Sequence, residues 1–298
     1  MLKLTDDNYY TVEADQEYMS CSQYDEFMTC EAAAMARLHR RYERPKNKAF
    51  LVGNYFHSYM EGKEAHEKFL EEHYDDVFKT KTNKKTGEIT ITGKYADYEN
   101  ADKMIAAAES EPAIKKLIDM PGEVETIMAG KIGQHPWKIK LDKYIPDLRM
   151  IIDWKTVADI WELRYSPAER RRVSFVDSYG YMMRAAVYCE IEKQVTGQDT
   201  DPAFILACIS KQDPPDKELI SMTEDRQRMD YELDQMKDNL FRIGELKAGR
   251  ARPTRCGHCE YCRATKHING IINYYDLDPD KRPAREEEYD AYFQYSGT

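Results

Sequence analysis

The sequence predicts an α/β fold of the α+β type, in which helices flank a central sheet. Three observations point to it. Residues 20–73 read as alanine-rich and amphipathic helix. Residues 123–156, "EVETIMAGKIGQHPWKIKLDKYIPDLRMIIDWKT", switch to period-two alternation. Helix then returns at "SFVDSYGYMMRAAVYCEIEKQVTG", followed by the apolar strand "AFILACIS" and a last amphipathic helix. At 298 residues the chain can bury a substantial core.

In chain order, Ser20 and Gln23 have capping-box spacing and open a helix through "YDEFMTCEAAAMARLHRRY", which places Cys30 inside it. The stretch "AFLVGNYFHSYMEGKEAHEKFLEEH" carries Leu51, Tyr55, Tyr59 and Phe69 at roughly helical spacing. Gly53 would allow a close backbone approach, and His57 and Glu61 lie one turn apart. "KTKTNKKTGEITITGKY" reads as a hairpin with a Lys-Thr-Gly turn, and "ADYENADKMIAAAES" resumes helix. Three strands follow near 123–129, 136–145 and 149–155, with turns at Gly130–Gln134 and Pro146–Asp147, so a meander is expected. Gly197 ends the next helix, "KQDPPDKE" closes the apolar strand as a turn, and the last helix spans about Thr223 to Lys247 with Leu233, Met236, Leu240 and Ile243 in a stripe. Residues 1–270 are expected to form one domain. The acidic, tyrosine-rich residues 271–298 are expected to be partly disordered or a docking segment.

Composition excludes some classes. No apolar run approaches the roughly 18 residues that span a bilayer, and "MLKLTDDNYY" has neither the basic region nor the apolar core of a signal peptide, so a cytoplasmic protein is expected. The net charge of -10 argues against wholesale coating of nucleic acid but leaves room for a local basic channel. Residues 37–48, 79–87 and 169–172 are the basic runs, each of which taken alone reads more readily as solvated surface. Seven cysteines in a reducing compartment point to metal more than to disulfides.

The chemistry concentrates in "KLDKY" and "MIIDWKT". Strand alternation puts Asp153 and Lys155 on one face and Ile152 and Trp154 on the other. If the preceding strand pairs antiparallel, Asp142 comes alongside, and two carboxylates together need a cation between them. Hard oxygen ligands select Mg²⁺ or Mn²⁺, which activates water, while Lys155 stabilises the developing charge in phosphodiester hydrolysis.

With "GNYFH", "KLDKY" and "IIDWKT" in that order, the chain resembles the PD-(D/E)XK nucleases, specifically the RecB- and RecE-like branch of phage recombination exonucleases. The resemblance implies a restriction-endonuclease-like core with a mixed sheet. It implies that His57, Asp142, Asp153 and the Trp154 carbonyl hold the metal and that Lys155 is catalytic, with Glu125 as a further carboxylate. It implies DNA as the substrate, resection of duplex ends in a phage or prophage setting, and a RecT-like annealing partner. Where the branch carries Gln-x-x-x-Tyr, this chain has "RAAVY", with Arg184 and Tyr188 as DNA-binding candidates. A single-strand nuclease like those of CRISPR adaptation and a DNA-end-binding module that does not cut are the other readings. Cleavage polarity and oligomeric state stay open.

Cysteines 256, 259 and 262 in "RCGHCEYC" are spaced as in ferredoxins, where a remote fourth cysteine completes a 4Fe-4S cluster. Iron-sulfur nucleases of this branch, the AddB subunit among them, take one cysteine before the core and three after it, and the resemblance makes Cys30 the fourth ligand, ahead of Cys21. Zn²⁺ held by Cys30, or with His258 or His267 substituting, is the alternative. Cys189 and Cys208 lie in apolar surroundings and are expected to be core thiols.

Overall fold

The computed structural model describes residues 1–43, 48–166, 169–268 and 270–277. The chain divides into two compact units, Met1–Cys256 and Gly257–Thr298.

In the first unit, helix α1 (Val12–Glu17) is capped by Thr11, whose Oγ1 accepts from the Ala14 N–H. Helix α2 (Cys21–Thr29) starts where the cap residue predicts, with Ser20 Oγ accepting from the Gln23 N–H. The Gln23 side chain does not complete a capping box, because it donates to the Asp15 carbonyl. The single helix expected around Cys30 is two. Cys30 is extended (φ -166, ψ 106), ending α2 and opening α3 (Glu31–Leu38). The break is held from outside, since the Ala32 N–H donates to the Thr254 carbonyl and Glu31 accepts from the Thr254 N–H and from Arg242.

The next helical stretch is also divided, into α4 (Lys48–Glu61) and α5 (Lys63–Glu72), by Gly62 at φ 140, a conformation nearly reserved for glycine. The short α6 (Tyr74–Val77) leads into the expected hairpin, β1 (Phe78–Thr82) and β2 (Ile89–Lys94), and then α7 (Ala96–Ser110) and α8 (Pro112–Asp119). The meander is β3 (Glu123–Ile132), β4 (His135–Ile145) and β5 (Met150–Val157), antiparallel throughout. A small hairpin, β6 (Arg164–Ser166) with β7 (Arg171–Val173), and the single turn α9 (Phe175–Ser178) precede α10 (Tyr181–Thr196). β8 (Ala203–Ser210) then lies parallel to β5, and β9 (Lys217–Ser221) pairs with β8 at the edge. The sequence pattern missed β9 because "KELIS" is short and only half buried. Helix α11 (Arg226–Lys247) follows, capped by Asp225.

The result is a five-stranded mixed sheet in the order β3-β4-β5-β8-β9, between two helical layers. On one face Trp137, Leu141, Ile151 and Phe204 pack with Tyr24, Ala185 and the predicted stripe of α11, all of whose four residues are buried. On the other Ile152, Trp154 and Ala207 pack with Val52, Tyr55 and Met104. In the second unit the described elements are α12 (Glu260–Ala264), where Cys259 Sγ accepts from the Cys262 N–H, and a 3-10 turn over Tyr274–Leu277. The acidic tail from residue 278 onward, and residues 44–47 of the first basic run, lie outside the described residues. Among the described residues no helix is long and apolar enough to cross a membrane.

Candidate active site

The alternation of β5 sends Ile152 and Trp154 into one apolar layer and leaves Asp153 and Lys155 on the opposite face. There Lys155 Nζ lies 2.5 Å from Asp153 Oδ2 and donates to the Trp154 carbonyl at 3.1 Å. The β4–β5 register pairs Lys143 with Ile152, so one step further Asp142 stands beside Asp153. Asp142 Oδ2 accepts from the Trp154 N–H at 2.9 Å and sits 3.4 Å from His57 Nδ1 on α4. Burial works against the Lys155 charge, but Asp153 and then Asp142 outweigh it, so its pKa is raised and the ammonium persists.

Glu125 lies across from Asp142, because the pairs Val124 with Lys143 and Thr126 with Leu141 flank it. Its backbone is left-handed (φ 52), a conformation that costs a non-glycine residue about 1–3 kcal/mol. Its Oε2 is 2.7 Å from Lys140 Nζ. All these side chains line one cleft of about 930 Å³. Its wall includes the α4 stripe Phe50, Asn54, His57, Ser58 and Glu61, spaced to share one helix face. Gly53 on that helix is not required for close approach, since an added Cβ would come no nearer than 3.9 Å to Thr156 Oγ1.

Arg184 and Tyr188 also line the cleft, from α10. The Tyr188 ring is buried and stacked on Phe204 at 5.9 Å, so only its hydroxyl is available for polar contact. Arg184 Nη1 is 3.5 Å from that hydroxyl, and its buried Nε has no hydrogen-bond partner among the described residues. The sequence reading passed over Lys140 and Tyr10. Lys140 was accessible to it, because it is two residues before Asp142 on the same strand and therefore on the same face.

The donor set suits a divalent cation. Asp153 is a buried carboxylate whose described polar contact is the Lys155 ammonium, Asp142 adds a second carboxylate, and the His57 imidazole and the Trp154 carbonyl supply further donor atoms. These groups do not all close to within 4.8 Å of one another. Among the described residues the sulfur atoms of Cys30, Cys256, Cys259 and Cys262 do, which is compatible with a metal site. Cys21, His258 and His267 are not part of that set. Cys189 and Cys208 are fully buried core thiols, and burial pushes Cys208 up to about 12.

A mixed sheet carrying paired carboxylates and a lysine on adjacent central strands, between two helical layers, defines a PD-(D/E)XK nuclease fold. The chain belongs to the family described as a PDDEXK-like domain of unknown function (DUF3799), which it matches over residues 20–265. It is similar to a Eubacterium rectale protein whose crystal structure is described as a "putative exonuclease", with 33% identity, 93% of this chain and 99% of that one covered, and a TM-score of 0.80. The structure of SSO0001 is 13% identical with a TM-score of 0.27 over 80% of this chain and 92% of that one, too weak a likeness to carry an argument. No curated protein sequence matches the chain. The family and this likeness support a nuclease.

Proposed function

We propose that the chain is a Mg²⁺- or Mn²⁺-dependent DNA exonuclease that hydrolyses phosphodiester bonds at DNA ends, in the manner of the RecE-like enzymes that prepare single strands for a RecT-like annealing protein. The observation that carries this reading is the pairing of Asp142 with His57 and of Asp153 with Lys155, joined by the hydrogen bond from the Trp154 N–H to Asp142. His57, Asp142, Asp153 and the Trp154 carbonyl would hold the metal. When bound, that ion supplies Lewis-acid stabilisation and a nucleophilic water at neutral pH. Lys155, kept charged by its two carboxylates, stabilises the negative charge that builds on the phosphorus oxygens. Arg184 lines the cleft, and its guanidinium would hold a phosphate oxygen. Glu125, tied to Lys140, adds a further carboxylate across from Asp142.

The test is cleavage of end-labelled linear duplex and single strands with Mg²⁺, Mn²⁺ or EDTA. Metal-dependent loss of nucleotides from an end, abolished in Asp153→Ala, is the expected result. No cleavage of any DNA would overturn the reading, and cutting confined to single strands would move it to the CRISPR-adaptation type.

For Cys30, Cys256, Cys259 and Cys262, the ferredoxin-like spacing of the last three supports a 4Fe-4S cluster, with one Zn²⁺ as the alternative. Metal analysis of purified protein and of Cys256→Ser separates the two: brown protein carrying iron and sulfide supports the cluster, and colourless protein with one zinc per chain overturns it.

A further inference from the structure

The cleft holds two aromatic side chains that the hydrolysis does not use. Tyr10 is 67% exposed and Phe50 is 70% exposed, yet both line the wall that carries His57, Asp142 and Asp153. Isolated exposed aromatics need no explanation on a convex surface. These two stand in a polar, ion-lined cleft and come from separate elements.

Tyr10 is also held in place. Its carbonyl accepts from Arg40 Nη2 at 2.7 Å, its ring meets the edge of Tyr9 at 4.9 Å, and Lys140 Nζ sits 5.7 Å from its centroid. Lys140 in turn binds Glu125, across the strand pair from Asp142. The exposed ring is thus fixed to the same framework as the carboxylates. Phe50 belongs to the α4 stripe that ends in His57 and Glu61. Seven residues before His57, it stands about 10 Å along the helix axis, roughly the length of three stacked nucleotides.

A rigid aromatic ring beside a phosphodiester-cutting centre has one natural partner on a nucleic acid, the face of an unpaired base. We propose that Tyr10 and Phe50 are base-stacking residues that grip the strand being cut, so that the last few nucleotides enter the cleft unpaired. This rests on the nuclease reading and extends it to the state of the substrate. Bases in an intact duplex are covered by their neighbours and cannot offer a face to either ring.

The test uses the full chain in EDTA, so that nothing is cut, titrated into duplexes with a short overhang bearing 2-aminopurine at its first or third nucleotide. Stacking quenches that fluorophore. The wild-type protein is expected to quench both positions. Tyr10→Ala and Phe50→Ala are expected to lose quenching and bind the overhang about tenfold more weakly, and Tyr10→Phe stays within about twofold of wild type. With Mg²⁺ the alanine variants should raise KM and leave kcat in place. If wild type cuts DNA and both alanine variants bind and quench as it does, the stacking assignment is overturned while the nuclease reading stands. If wild type neither binds nor cuts DNA, both fall.

Discussion

Lys155 is a cation held in a buried setting by one short contact to Asp153 and one carbonyl. Removing it takes from the Asp153 carboxylate, 3% exposed, the ammonium 2.5 Å away, so Lys155→Met is expected to abolish cleavage and to cost about 3 kcal/mol in urea denaturation of the metal-free protein. Asp153→Asn is expected to abolish cleavage with a smaller loss, since no carboxylate is then stranded. At this scale the sequence was informative wherever strand alternation decided the answer, as for Asp142, Asp153 and Lys155. It was silent on the left-handed backbone of Glu125 and on the orphaned Nε of Arg184, because both depend on which chain segments pack around them.

Helices and strands could be read where local signals agreed with packing. Ser20 opened a helix on schedule and Gly197 closed one, but Cys30 broke a helix that its alanine-rich flanks would continue, because Thr254 pairs with the backbone just beyond it. Two glycines, one inside α4 and one at the break between α4 and α5, should respond oppositely. Gly53→Ala places its methyl at an ordinary contact distance and is expected to gain up to about 1 kcal/mol of helix propensity. Gly62→Ala, forced to φ 140, is expected to lose more than about 1 kcal/mol. Thermal unfolding of the two variants checks both signs.

At the end of α11, Lys247 Nζ donates to the carbonyls of Asp15 and Tyr18 and to Gln23 Oε1, tying the last long helix to the N-terminal segment. Lys247→Met is expected to cost about 2 kcal/mol through those charge-assisted bonds. Burial pulls the ammonium down to about 8, so the folded state gives up this proton more readily than the unfolded chain, whose lysines titrate near 10.4. The penalty for holding the charge is complete below pH 8 and fades as pH rises from 8 towards 10.4, so this group's contribution to stability increases across that window. Denaturation midpoints of wild type and Lys247→Met, compared at pH 7 and pH 10, should show that rise only in wild type.

Across the molecule, two helical layers on a mixed sheet leave the carboxylate face of β5 open to a cleft and bury the Trp154 face completely. The layered class was legible because period-two and period-3.6 segments alternate cleanly along the chain. The parallel pairing of β5 with β8 was not, since it joins segments on either side of residues 158–202 and no local pattern encodes that meeting.

That pairing also sets an order of assembly. The hairpin of β4 and β5 closes through a single turn, Pro146–Leu148, and brings Asp142 and Asp153 together early. β8 arrives only after the intervening segment has ordered, and closing long loops is the slow part of folding. In refolding from urea, recovery of cleavage should therefore lag behind recovery of the helical circular-dichroism signal, because the catalytic strand acquires its second neighbour last.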